Sequence, residues 1–211
     1  MKMTKQIEIT CIGSAYIQPI LDLYWKLINM QFSGSSKIRV SINENGYSVS
    51  IIALTAFCIE SYINNLKYFA GSNISNTLRF FSTKFPNERD LIEMLNELFT
   101  VRNVIAHNHI WKIKYRLNSL YIETDITKEL LNGYGNNNFR NVVDLANKVT
   151  RKLRMRIIPT RIGKDDAKKA LIVLNEFSNF LDRQKRPLIS NWHFKFPEKL
   201  MTLHEIVKFI G

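Results

Sequence analysis

The stretch Leu98-Phe99-Thr100-Val101-Arg102-Asn103-Val104-Ile105-Ala106-His107-Asn108-His109 decides the fold class. Leu91, Met94, Leu95, Leu98, Val101 and Ile105 recur at three- and four-residue steps, the period of a helix with one buried face. Pro86-Asn87 marks its start, since proline suits the first turn and breaks the interior. Glu88, Asp90, Glu93 and Glu97 crowd the first half, where the helix dipole favours negative charge. Arg102, His107 and His109 fall in the last turns, where cations are favoured. A cation seated on a helix C-terminus is therefore the plain structural reading of Arg102.

Upstream, Ile52, Ala56, Ile59, Ile63, Leu66 and Phe69 predict a long helix over about 48–69, closed by Gly71. Residues 33–47, with Ser-Gly-Ser-Ser and Asn-Glu-Asn-Gly, read as loop. Pro19 opens an earlier helix running to about Phe32, residues 6–12 alternate like a short strand, and 75–84 suit a short helix. Downstream the period changes to two. Residues 110–117 read as a strand with Lys112, Lys114 and Arg116 on one face, and Asn118-Ser119 turns it into a second strand, Leu120–Thr124. After a loop at Gly133–Asn138 come an expected helix at about 139–153, a strand-like 155–160, and a helix from Asp165 or Asp166 to about Arg183. Thr202-x-x-Glu205 is a capping box for a short terminal helix. The expectation is a mainly α single domain over 1–211, with a strand-containing insertion at about 110–160.

With 211 residues, 45% of them hydrophobic, the chain can bury a core and disorder is not its default. The formal net charge of +12 points to an acidic partner, nucleic acid first. Two cysteines, Cys11 and Cys58, give neither a disulfide framework nor metal-ligand spacing, and Cys58 lies in an apolar helical run. The N-terminus lacks a signal-peptide core, and the longest apolar run, near Val49–Ile59, is short for a bilayer. A cytoplasmic protein with no membrane association, no metal and no cofactor is expected.

Arginine and histidine together suit phosphodiester chemistry near neutral pH. Arginine holds a phosphate and neutralises charge that grows in the transition state, and histidine gives or takes a proton near pH 7. Arg102 and His107, five residues apart, are rotated by about 140° and separated by about 7.5 Å on an ideal helix. They do not stack, whereas Asn103 and His107 share a face. One copy of the helix is a sparse site. Two copies about a two-fold axis would surround one phosphate with two Arg, two Asn and two His.

Arg102-Asn103-x-x-x-His107, near the end of a long helix that follows another, resembles the signature of the HEPN superfamily over about residues 48–110. The resemblance implies a helical bundle and a homodimer with a composite site. It also implies metal-independent RNA cleavage in which the 2′-hydroxyl attacks the adjacent phosphate to leave a 2′,3′-cyclic phosphate. His107 would assist proton transfer, Arg102 would hold the scissile phosphate or stabilise its developing charge, and Asn103 would orient the phosphate or the histidine. Some toxin members carry tyrosine two residues after the histidine; here that position is His109, which also lies within the permitted spacing from Arg102 and is the second candidate for the working histidine. The family context implies a toxin or phage-defence setting, with an antitoxin or regulatory protein as partner.

Glu60 and Asn64, four apart on the 48–69 helix with Asn65 beside them, are placed to support this site; Glu60 would pair with Arg102 or orient His107. Residues 148–169 hold nine Lys or Arg, Arg154 and Arg156 among them, against two acids. With Lys112, Lys114 and Arg116 they would form a track for an RNA backbone. Tyr115, Tyr121 and Tyr134 are candidates for base stacking or simple filler, and His193 and His204 read as structural. No glycine-rich phosphate loop, serine elbow or zinc spacing is present. Two alternatives stand beside the nuclease reading: a non-catalytic HEPN-type module binding RNA or protein, and a DNA-binding or scaffold protein working through its basic strands.

Overall fold

A computed structural model describes residues 12–30, 40–106, 112–116, 119–125, 137–185 and 192–210, with the backbone alone for 112–116, 119–125, 137 and 138. A short 3-10 helix, Ile12–Tyr16, runs into α1 (Ile17–Ile28). Then come α2 (Ile42–Phe69), α3 (Thr77–Lys84), α4 (Arg89–Ala106), β1 (Lys112–Arg116), β2 (Ser119–Asp125) and α5 (Asn137–Val142). The chain continues through β3 (Val143–Asp144), β4 (Val149–Thr150), a second 3-10 turn (Pro159–Arg161), α6 (Lys164–Arg183), β5 (His193–Lys195), β6 (Leu200–Thr202) and α7 (Leu203–Phe209). The described chain is mainly helical, and its strands form three separate antiparallel pairs.

α2 is the central element. The first 3-10 helix, α1, α3, α4 and α6 all pack on it, and Ile51, Ile52, Ala56, Cys58, Ile59 and Ile63 are fully buried along it. α6 supplies Leu171, Leu174, Phe177 and Phe180, all fully buried. Phe81 of α3 meets Phe177 and Phe180, and Phe85, just past the end of α3, meets Phe180, edge-on or tilted, with centroids 4.9 to 6.1 Å apart. Burying each such ring contributes roughly 2–3 kcal/mol. By length and composition α2 is also apolar enough to cross a membrane; half of its most apolar window is buried inside this bundle. That revises the reading of its apolar run as too short, because the helix extends well beyond Val49–Ile59.

Three expectations are overturned. The Asn43-Glu44-Asn45-Gly46 stretch is not loop but the first turn of α2. Ser41 caps it by accepting from the Glu44 amide at 3.2 Å, and the Asn45 side chain donates to the carbonyls of Pro159 and Ile162 at 2.7 and 2.9 Å. The helix expected over 139–153 is only the short α5, followed by the β3–β4 pair. Lys148 and Arg154 both take left-handed backbone there (φ 57°), which no α-helix accommodates. The strand at 155–160 is reduced to a single bridge, Val149 to Arg156, before the second 3-10 turn. Val142, Val143, Met155, Ile157 and Ile162 belong to the same core as α1, α2, α4 and α6, so the latter part of 110–160 is not peripheral. The strand expected at 6–12 lies largely outside the described residues, and Ile12 itself is in the 3-10 helix.

Helix ends follow the sequence more closely. Gly71, at φ 60°, stands just past α2, and Thr202 with Glu205 forms the reciprocal capping box of α7.

Candidate functional site

Arg102 stands near the end of α4, where that helix packs on α2. Its Nη1 donates to Glu60 Oε2 on α2 at 3.3 Å. Its Cζ lies 5.6 Å from the ring centroids of both Phe57 and Phe99. Each helix thus places a ring one turn before its charged residue: Phe57 before Glu60 on α2, Phe99 before Arg102 on α4. The guanidinium is clamped by a carboxylate and two π faces, an arrangement that fixes its plane. The side chain keeps 18% of its surface exposed, Glu60 keeps 29%, and Arg102 Nε is buried with no hydrogen-bond partner among the described residues.

Asn103 is exposed on the next position of α4. His107 and His109 lie outside the described residues, and so does the shared face expected for Asn103 and His107. Asn64 does not reach Arg102; its Oδ1 accepts from Thr77 Oγ1 at 3.3 Å. Asn64 instead lines an open cleft of about 470 Å³ together with Phe57, Glu60, Ser61, Asn65 and Tyr68, all from one face of α2. Ile12 and Tyr16 of the 3-10 helix form the opposite wall. Phe57 and Glu60 therefore belong both to the Arg102 clamp and to this cleft. Sequence reasoning missed Phe57, Phe99, Tyr16 and Tyr68; the signal on α2 was the recurrence of ring, acid, amide and ring at helical spacing.

The basic residues of 148–169 are partly committed to the fold. Arg154 Nη1 pairs with Asp144 at 2.9 Å. Arg156 pairs through Nε with Asp166 at 2.9 Å and through Nη2 with Asp165 at 3.3 Å. Asp166 is fully buried and accepts from the amides of Arg156 and Gly163 as well. Burial pushes its carboxyl up, against the opposing pull of Arg156 and the two amides. In the β1–β2 pair the backbone register sets Asp125 opposite Lys112 and Glu123 opposite Lys114. Arg116 faces Ser119. Tyr115 and Tyr121 have only their backbone described, and Tyr134 lies outside the described residues. His193 and His204 are exposed, on β5 and α7. Among the described residues no group of three or more His, Cys, Asp or Glu is placed to hold a metal.

No protein-family model, no curated protein and no solved structure matches the chain. The chemistry open to the site therefore rests on its own geometry: a partly exposed guanidinium clamped against Phe57 and Glu60, two residues that also line the cleft, next to an exposed carboxamide, on the helix that His107 directly follows in the chain.

Proposed function

We propose that the protein is a metal-independent endoribonuclease of the HEPN type, acting as a homodimer on single-stranded RNA. The observation that carries this reading is the clamp on Arg102, held by Glu60 and two rings in the last turns of α4 with Asn103 exposed beside it. Rigid arginine forks suit a phosphate whose charge increases during reaction, because no reorganisation is needed at that moment. In the reaction the ribose 2′-oxygen forms a bond to phosphorus and the bond to the 5′-oxygen of the next nucleotide breaks. One proton leaves the 2′-hydroxyl and one reaches the departing 5′-oxygen. His107 takes part in that proton transfer, Arg102 holds the phosphate, and Asn103 orients it. The second copy of α4 completes the site. A cytoplasmic toxin or phage-defence effector under the control of a protein partner is the biological setting that this family reading suggests.

The test is incubation of the purified protein with RNA in the presence of chelator, beside Arg102→Ala and His107→Ala. Cleavage by the wild type, leaving 2′,3′-cyclic phosphate ends and falling at least about 100-fold in each variant, is the expected result. Equal cleavage by all three would assign the activity elsewhere. No cleavage by the wild type, with RNA affinity retained, would replace the enzyme with a binding module.

A further inference from the structure

The cleft beside Arg102 has a chemistry that packing does not require. α2 is the core helix, yet on one face it carries Phe57, Glu60, Asn64 and Tyr68 on successive turns, a stripe about 16 Å long. Tyr68 is 61% exposed and Phe57 40%. The opposite wall is held close by a glycine: a Cβ on Gly13 would stand 2.8 Å from the buried Tyr62 ring and 2.9 Å from the Cys58 carbonyl. Gly13 thus lets the 3-10 helix sit directly on α2, with Tyr16 at the cleft's side.

The polar groups on the floor differ in sense. Glu60 is an acceptor; its Oε2 faces Arg102, and its Oε1 has no hydrogen-bond partner among the described residues. Asn64 uses its Oδ1 to accept from Thr77, and its Nδ2 donors have no partner among the described residues. One helical turn separates the two side chains, about 6 Å. An acceptor-only group spaced in this way from a donor matches the edge of guanine, whose N1–H and N2–H₂ donate while O6 accepts. Adenine sets its N1 acceptor beside the one donor of that edge, and a carboxylate repels it. Uracil offers a single donor between two acceptors, and cytosine a single donor beside two. Tyr68, one turn beyond Asn64 on the same face, supplies a ring for stacking, worth about 1–3 kcal/mol per base.

We propose that this cleft is a guanine-binding subsite. Glu60 accepts from N1–H and N2–H₂, Asn64 donates to O6, and Tyr68 stacks on the base. The choice of an RNA base as the ligand rests on the ribonuclease reading. The cleft then selects the nucleotide adjacent to the phosphate held by Arg102, and the protein cuts beside guanosine.

The experiment is calorimetric titration of the full chain with 3′-GMP, 3′-AMP, 3′-CMP and 3′-UMP, repeated with Asn64→Asp and Tyr68→Ala. Asn64→Asp keeps an acceptor for Thr77 and replaces the donor that O6 needs; Tyr68→Ala alters an exposed ring and guards against misfolding of the first variant. The melting temperature of each variant is measured in parallel. Binding of 3′-GMP at least tenfold tighter than the other three, weakened at least tenfold in a variant that melts like the wild type, is expected. Four nucleotides binding alike, or 3′-GMP binding unchanged in both variants, overturns the assignment. An oligoribonucleotide containing one guanosine separates the two readings. Cleavage without base preference, together with four nucleotides binding alike, leaves the nuclease standing and removes the guanine subsite. Selective 3′-GMP binding without cleavage does the reverse.

Discussion

Glu97 is 3% exposed and accepts from two successive amides, those of Lys152 at 2.5 Å and Leu153 at 2.6 Å. On the same side of α4, Asp90 and Glu93 both take the Lys152 ammonium, Glu93 at 2.9 Å. Lys152 in turn holds the Asp90 carboxyl below its usual range. The acids that read as partners of the helix dipole therefore strap Lys152 and Leu153 along α4. Glu97→Ala leaves two partly buried amides unpaired and should destabilise the fold by about 3 kcal/mol. Urea denaturation checks this, and a loss below about 0.5 kcal/mol would mean that solvent replaces the carboxylate freely. The candidate site was legible to a similar depth. Helical spacing placed Glu60 where it meets Arg102, because periodicity predicts which residues of two long helices can face each other. It did not show that Phe57 and Phe99 sandwich the guanidinium, since an aromatic at a core-like position looks the same whether it covers an aliphatic side chain or a cation.

At the scale of elements, legibility divides by the range of the interactions. Caps are local, so Gly71 after α2 and Thr202 with Glu205 before α7 could be read directly. The 142–158 segment depends on partners far along the chain, Glu97 on α4 and Asp166 on α6, and an apolar pattern that suits a helix folds instead into a tight β3–β4 turn. That turn places the non-glycine Lys148 at φ 57°, at a cost of about 1 kcal/mol. Asp144 offsets this by accepting from both the backbone and the side chain of Asn147, at 3.1 and 2.7 Å, and by pairing with Arg154. The Asn147 hydrogen bonds first, and Arg154 with them, hold the Asp144 carboxyl down to about 2 from its ordinary 3.8. Because the folded value is the lower one, the ionised carboxylate favours the turn, fully above about pH 4. That contribution fades as pH falls through the folded value of about 2. The protection factor of the Asn147 amide (its exchange rate relative to that of the unstructured chain at the same pH) should fall across this window, and Asp144→Asn should abolish that dependence while lowering protection at pH 7. A protection factor that stays flat from pH 4 to pH 2 in the wild type would show that the turn does not depend on this charge.

Across the whole molecule, ion pairs tie part of the charge into the fold. Glu60, Glu88, Asp90, Glu93, Asp144, Asp165 and Asp166 each face a cation, in a chain whose formal net charge is +12. Of the basic residues in 148–169, Arg154 and Arg156 are tied to acids, whereas Arg151 and Arg161 are exposed with no acidic partner among the described residues. On the ribonuclease reading this separates two kinds of arginine. Arg156→Ala removes the counter-charge of the buried Asp166 and should lower the melting temperature. Arg151→Ala and Arg161→Ala should leave melting unchanged and weaken RNA binding. Phosphate contacts release counterions, so each lost contact should flatten the plot of log affinity against log salt by about 0.7 for a single strand. The measurement is fluorescence anisotropy of a labelled single-stranded oligoribonucleotide, titrated from about 50 to 200 mM salt in a His107→Ala background that prevents cleavage. Identical slopes in the parent and in both surface variants would place the RNA backbone away from 148–169. A reduced slope in the surface variants would define the strand's path past α4 and α6 and leave Arg154 and Arg156 their structural roles.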